Sequence, residues 1–298
     1  MSLQVFSVVT TVPRGLNIER NAASSDMVQY LAVAECWPPR TWTSAKERAL
    51  YEAGQLQKAE ADSDGSLVIL RRRGDLLHFV ATRKQGQVGA FLATEGTQPL
   101  EGKLENLDDL YTAGFRMMSA THFTDTEIAG AAAGLRKSGL TDLGRRWVQS
   151  MEAKGMTIDL AHASPATIRD VTSIARKPVV VSHTGVKGTC NNNRNLSDDE
   201  LRAVARTGGV VGIGYWDTAV CGRDVNAIAR AIRYAVGVVG VEHVALGSDF
   251  DGAVTMPFDV TGVPLITEAL RKAGFSEHDI GLIMGRNVVR VLSGNLPE

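Results

Sequence analysis

A cystine-stapled fold is the first thing this sequence excludes. Its 298 residues hold three cysteines, Cys36, Cys190 and Cys221, too few for a disulfide framework and without zinc-finger spacing. Long hydrophobic runs are missing too: no apolar stretch approaches the roughly 20 residues of a bilayer-spanning helix. Neither sign of charge dominates, since 32 Lys and Arg stand against 33 Asp and Glu for a net charge of -1. No basic stripe marks a nucleic-acid surface and no polybasic segment marks an anionic membrane. The apolar start, Met1 to Val12, has no basic segment and no small-residue cleavage site, so it does not read as a signal peptide. The simplest compartment is then the cytoplasm. Three catalytic signatures are also lacking: the G-x-S-x-G elbow, the P-loop and the H-E-x-x-H helix. The run Gly208-Gly209-Val210-Val211-Gly212 enters a strand instead of opening a helix, which makes it a poor dinucleotide fingerprint.

What remains is an alternation. Short β-branched apolar runs at Leu3–Val9, Val88–Thr94, Arg116–Ala120, Thr157–Leu160, Pro178–Ser182, Val210–Gly214 and Val244–Gly247 predict strands. Helices fall between them with readable punctuation. Thr141 caps one whose Leu143, Trp147 and Met151 share a face, and Gly155 stops it. Ser164-Pro165 supplies a cap and an N1 proline, and Ser197 with Glu200 forms a capping box closed by Gly208-Gly209. A longer helix runs through Ile228, Ile232 and Ala235, and two more begin near Pro264 and Ser276. The segment Ala34 to Gly74 is the least regular, with one helix near Thr43–Glu60. Repeated strand–helix units call for a parallel sheet, and about seven of them favour a closed barrel over an open sheet. No linker, low-complexity tract or repeat divides the chain, so residues 1–298 read as one α/β domain, a TIM-like (β/α)8 barrel.

The chemistry follows the strands. Glu95, His122, His162, His183 and Asp249 each stand at or just beyond a strand end, and in a parallel barrel those ends share the rim where active sites sit. A lone histidine after a strand is more often structural; five titratable residues placed alike reverse that reading. Imidazoles and carboxylates are the usual ligands of a catalytic divalent metal that keeps one position open for water.

At these residues the chain resembles a known family. Ala93-Thr94-Glu95-Gly96, Thr121-His122, Ile158 through Ser164, Ser182-His183, Arg194-Asn195-Leu196 and Gly247-Ser248-Asp249-Phe250-Asp251-Gly252 are similar to the successive motifs of the membrane (renal) dipeptidase family, peptidase M19. Gly285 through Val291 looks like its C-terminal signature. The resemblance runs from about residue 85 to 292, with residues 3 to 84 matching more loosely. It implies an amidohydrolase-like β/α barrel with a binuclear zinc site, hydrolysing dipeptides that carry a free C-terminal carboxylate, often with tolerance for a D-residue there. By match to the motifs, Glu95 bridges the metals, and His162 and His183 complete the second one. His122 contacts the substrate and helps polarise its carbonyl, Arg194 pairs with the substrate carboxylate, and Asp249 shuttles the proton. The resemblance also pairs Cys190 with Cys221, as in secreted relatives, although a cytoplasmic protein would keep them reduced.

The chain departs from the pattern at one place. The family's first strand ends in His-x-Asp, which supplies the other ligands of the first metal, and no His-x-Asp occurs here. Leu3–Val9 matches the family's second strand, so the barrel is expected to lack its first strand and expose an edge that favours self-association. With Glu95 the sole sure ligand of the first ion, one zinc at most and little or no dipeptidase activity are expected. A truncated or degenerate barrel with one metal or none, inactive or binding-only, and a mononuclear amidohydrolase acting on another amide are the other readings. His78 reads as a structural residue on a helix and His243 and His278 as surface residues, Asp251 reads as a contributor to the site or as part of an Asp251-Gly252 turn, and Trp37, Trp147 and Trp216 read as packing residues, with Trp216 close enough to a strand end to face a pocket.

Overall fold

Among the described residues every strand ladder is parallel, as the strand–helix alternation requires. The structure, a computed structural model, describes residues 2–298. The chain forms two compact units, one comprising Ser2–Val171 with Asn295–Glu298 and the other Thr172–Gly294.

The first unit is built around β3 (Val88–Thr94). Ala90 to Ala93 are at most 2% exposed, the continuous apolar run of a strand covered on both faces. β1 (Leu3–Val8) lies along one edge of β3, from Leu3 opposite Gly89 to Val8 opposite Thr94. Two strands share the other edge. The short β2 (Leu67–Ile69) pairs with Val88 to Ala90, and β4 (Phe115–Ser119) takes over at Leu92 after a register shift. β5 (Thr157–Asp159) then pairs with β4, Ser119 opposite Asp159.

Helices α1 (Met27–Ala34), α2 (Ala45–Asp62), α3 (Arg73–Thr82), α4 (Asn106–Thr112), α5 (Asp142–Ala153) and α6 (Pro165–Ile174) fill the connections. On α5 the Thr141 hydroxyl accepts from Gly144 N–H, the buried Trp147 and Met151 face inward, and Trp147 donates to Met118 Sδ at 3.3 Å. Arg48 on α2 is buried, and its guanidinium donates to the carbonyls of Thr10, Thr41 and Trp42 while pairing with Asp26, the N-cap of α1. One side chain therefore ties α1, the turn before α2 and the segment leaving β1 together.

The second unit repeats the theme. β6 (Val180–Thr184), β7 (Val210–Ile213) and β8 (Val244–Leu246) pair in order, with α7 (Asp198–Arg206), α8 (Asp217–Val220), α9 (Val225–Val239), α10 (Val263–Lys272), α11 (Glu277–Gly281) and α12 (Asn287–Asn295) among and after them. The Ser197–Glu200 capping box forms, and Ile228, Ile232 and Ala235 make the buried face of α9. Asn287 anchors α12 by donating to the carbonyls of Val241 and Val244.

This is the strand and helix succession of a TIM-like β/α barrel one strand short, β1 and β8 each being paired along one edge among the described residues. The sequence reading named no helix at α1, α4 or α8 and no strand at β2, and it ended one strand too early. Pro178 has no N–H to donate, and β6 begins at Val180 and continues to Thr184, so His183 lies inside the strand and not after it. No helix among the described residues is long and apolar enough to cross a membrane.

Candidate metal centre

Three neighbouring strands, β3, β4 and β5, run parallel, so their C-terminal ends emerge on one side roughly 4.8 Å apart. Glu95 follows the last residue of β3, and His122 and His162 each stand three residues past the ends of β4 and β5. The structure brings these three together. His162 Nε2 is 2.9 Å and His122 Nε2 is 3.7 Å from the same oxygen, Glu95 Oε1. One donor atom from each residue lies within 4.8 Å of the others. All three are buried, at 8%, 6% and 7% exposure for Glu95, His122 and His162. Phe123 lies against both imidazoles, 4.3 Å from His122 and 4.7 Å from His162 between ring centroids, giving the group an apolar wall.

The backbone holds these positions against its own preferences. His162 has φ +62, a left-handed conformation that costs an L-residue energy and persists only where the surroundings enforce it. Here the carbonyl of His162 accepts from Ala132 N–H at 2.7 Å, Ala163 bridges to Ala131, and Asp159 accepts from Ala161 N–H at 2.9 Å. Ser119 donates to the other oxygen of Asp159 at 2.8 Å, so β4 and β5 are locked together directly beneath the two histidines. The sequence signal for this tie is a carboxylate inside the short run Thr157–Leu160 that predicts a strand. Gly96 has φ +97, and a Cβ there would meet Gln98 Oε1 at 2.0 Å and the backbone nitrogen of His122 at 3.2 Å. The turn after Glu95 can pass so close to His122 because residue 96 has no side chain.

In the second unit, His183, Arg194, Trp216 and Asp249 gather in the same way. Ser182 Oγ is 2.9 Å from His183 Nδ1, which leaves Nε2 as the outward atom, 3.8 Å from Asp249 Oδ1. Arg194 is buried and donates to the carbonyl of His183 at 2.8 Å. The Trp216 ring lies 5.9 Å from both the His183 ring and the Arg194 guanidinium, so this tryptophan packs against two candidate residues instead of filling a remote core. Asp249 has φ +58, a second strained residue at a candidate position. Gly247 is required here, because a Cβ would come within 2.3 Å of Ser182 O.

The loop carrying Arg194 is fastened on several sides. Asn195 accepts from Gly185 N–H and donates to the carbonyls of Cys190, Thr218 and Ala219. Cys190 and Cys221 form a disulfide with Cα atoms 5.2 Å apart, so the pair expected to be reduced is bonded in the structure. His78 and His278 are exposed, His243 meets the carbonyl of Gly209, and Asp251 accepts from Ala253 N–H in a turn.

Comparison with known proteins bears on the family and the fold. A family model described as membrane dipeptidase (peptidase family M19) matches residues 4–295. Dipeptidase aclJ of Aspergillus oryzae is 34% identical over 226 residues, covering 72% of this chain and 54% of its own. The chain spans about half the length of the curated relatives it matches. Among solved structures, the probable dipeptidase PvdM from Pseudomonas aeruginosa superposes with TM-score 0.80 at 19% identity, covering 99% of this chain and 95% of its own. A metallo peptidase from Rhodobacter sphaeroides, solved with a phosphinate mimic of the dipeptide L-Ala-D-Ala, gives TM-score 0.76 at 24% identity over 84% of this chain and 75% of its own. At those identities the solved structures speak for the fold.

Proposed function

Because the chain belongs to the membrane dipeptidase family, peptidase M19, we propose that it is a metal-dependent dipeptidase whose site includes Glu95, His122 and His162. The observation that carries this reading is the buried carboxylate with two imidazoles beside it at the ends of three adjacent strands. A carboxylate and two imidazoles in a buried setting are a donor set suited to zinc. When bound, such an ion polarises a carbonyl and lowers the pKa of a water to about 7.

The chain's own residues supply the rest. The resemblance of the motifs assigns the substrate carboxylate to Arg194, whose planar fork suits it. It assigns His183 as a further ligand and His122 to the scissile carbonyl. Asp249 takes the proton from the attacking water and returns it to the leaving amine. The substrate class follows the Rhodobacter sphaeroides enzyme, whose ligand mimics a dipeptide with a D-residue at its C-terminus. In this reading residues 1–298 act as one hydrolase domain, and the carboxylate and imidazoles that gather among the described residues serve one zinc ion.

Metal content by mass spectrometry, together with hydrolysis of L-Ala-D-Ala and L-Ala-L-Ala, tests this. The expected result is one zinc per chain and slow hydrolysis that a chelator stops and added zinc restores. A zinc-loaded chain that hydrolyses no dipeptide, or hydrolysis indifferent to the chelator, would overturn it.

A further inference from the structure

A buried charge without a counter-charge lies at the other end of β4 from His122. Arg116, the second residue of that strand, is 7% exposed. Buried charges are ordinarily paired, as Arg48 is with Asp26. Arg116 instead directs its donors at carbonyls: Nε reaches Arg71 O at 2.7 Å, and Nη1 reaches Tyr111 O and Phe115 O, each at 2.8 Å. Tyr111 covers one face of the guanidinium, with its ring centre 3.9 Å away. Among the described residues Nη2 meets no acceptor, and no carboxylate pairs with the group. We propose that Arg116, Arg71 and Arg72 form a binding site for a phosphate group, separate from the metal centre and within Ser2–Val171.

The fold brings the three arginines to one place. Arg71 and Arg72 make the turn from β2 into α3, and Arg116 holds that turn through the carbonyl of Arg71. Gly114 has φ +104, and a Cβ there would stand 3.1 Å from Arg71 Nε. The Arg71 side chain thus crosses the approach to β4 against a residue that has no side chain of its own, two positions before Arg116. It is only loosely engaged, 3.6 Å from Glu60 and 3.5 Å from Ile69 O. The side chain of the exposed Arg72 has no polar partner among the described residues. Asp75 fixes the turn, its Oδ2 accepting from the N–H groups of both Arg71 and Arg72.

Charge then decides what the site lacks. The neighbouring cations are matched, Arg73 with Glu298 and Lys154 with Asp108. Three guanidiniums are left against two carboxylates, Glu60 and Asp75, and the least hydrated of the three is the one with no ion pair. Burial, and beyond it the like charges of Arg71 and Arg72, press the pKa of Arg116 down against the opposing pull of Tyr111 and Asp75. A guanidinium does not give up its proton in response, so an anion is what relieves the cost. A carboxylate offers two oxygens in one plane, enough for a single fork. A phosphate group offers three oxygens and up to two charges, which suits several guanidiniums, one buried and two nearer the surface.

Isothermal titration of inorganic phosphate into the chain, in chelator and at constant chloride, tests the proposal; the chelator keeps metal-held phosphate out of the signal. The expected result is one saturable site that Arg71→Gln and Arg72→Gln each weaken about tenfold, the loss of one charge-assisted hydrogen bond, and that Arg116→Gln abolishes. Arg145→Gln removes an equal charge from an exposed position on α5 and is expected to leave binding unchanged. Methyl phosphate separates the two sources of the group: equal binding of ester and ion assigns the site to the phosphate of an ester, and binding of the ion alone assigns it to free phosphate. If circular dichroism shows that Arg116→Gln does not fold, the two variants nearer the surface decide. No saturable binding, binding indifferent to both Arg71→Gln and Arg72→Gln, or equal weakening by Arg145→Gln would overturn the proposal.

Discussion

Glu52 offers a sharp test of the electrostatics of the first unit. It sits on α2, one turn after Arg48, and burial pushes its carboxyl from 4.5 up to about 7 in spite of the guanidinium that pulls it down. The folded chain thus holds this proton more tightly than the unfolded chain. Between pH 4.5 and about 7 the folded state binds more protons, so stability falls as pH rises through that window. The cost is absent below the window and complete above it. At about 1.4 kcal/mol per pH unit, and trimmed for the part of the side chain that water reaches, ionised Glu52 costs the fold roughly 2–3 kcal/mol. Glu52→Gln stays neutral at every pH and removes that cost. Thermal melts of both proteins at pH 4.5 and pH 8.5 read the difference, which cancels the other titrating groups. The variant should melt roughly 4–8 °C higher at pH 8.5 and together with the unaltered chain at pH 4.5. Coincident melts at pH 8.5, or a gain of equal size at both values, would refute the reasoning.

Three further outcomes are expected. Replacing Cys190 and Cys221 by serine opens a loop between residues 31 apart, and chain entropy sets the loss at about 3–4 kcal/mol, read as a lower melting temperature that matches the reduced unaltered chain. Thiol labelling of freshly isolated protein with and without reductant shows whether the bond forms in the cell, with one reactive cysteine, the free Cys36, expected before reduction and three after. Arg194→Ala should raise KM far more than it lowers kcat, because a clamp on the substrate carboxylate acts alike in ground and transition states; a lost kcat at unchanged KM counts against it. Asp249→Asn should do the reverse, leaving zinc bound while kcat falls, and loss of zinc on that change would recast Asp249 as a ligand.

Much of this protein was already decided at the level of the chain. Thr141, Pro165, Ser197 and Ser276 mark helix starts because capping is a local contest for the first free N–H groups, settled within four residues. The apolar runs before Glu95, His122, His162 and Asp249 announced strands for the same local reason, and with parallel strands that alone puts those residues at strand ends. Tertiary structure decided the rest. β2 is three residues long and pairs only because β4 leaves the first part of β3's edge free, which no property of Leu67–Ile69 reveals. The work of Asp159, the tie of Arg48 to Asp26 and the closeness of His122 to Glu95 depend on partners 40, 22 and 27 positions away. A motif records which donors are present; the distances among them are set by ladder register and by turns such as the one Gly96 permits. For that reason the sequence could propose a metal site, and only the fold could set His122 beside Glu95.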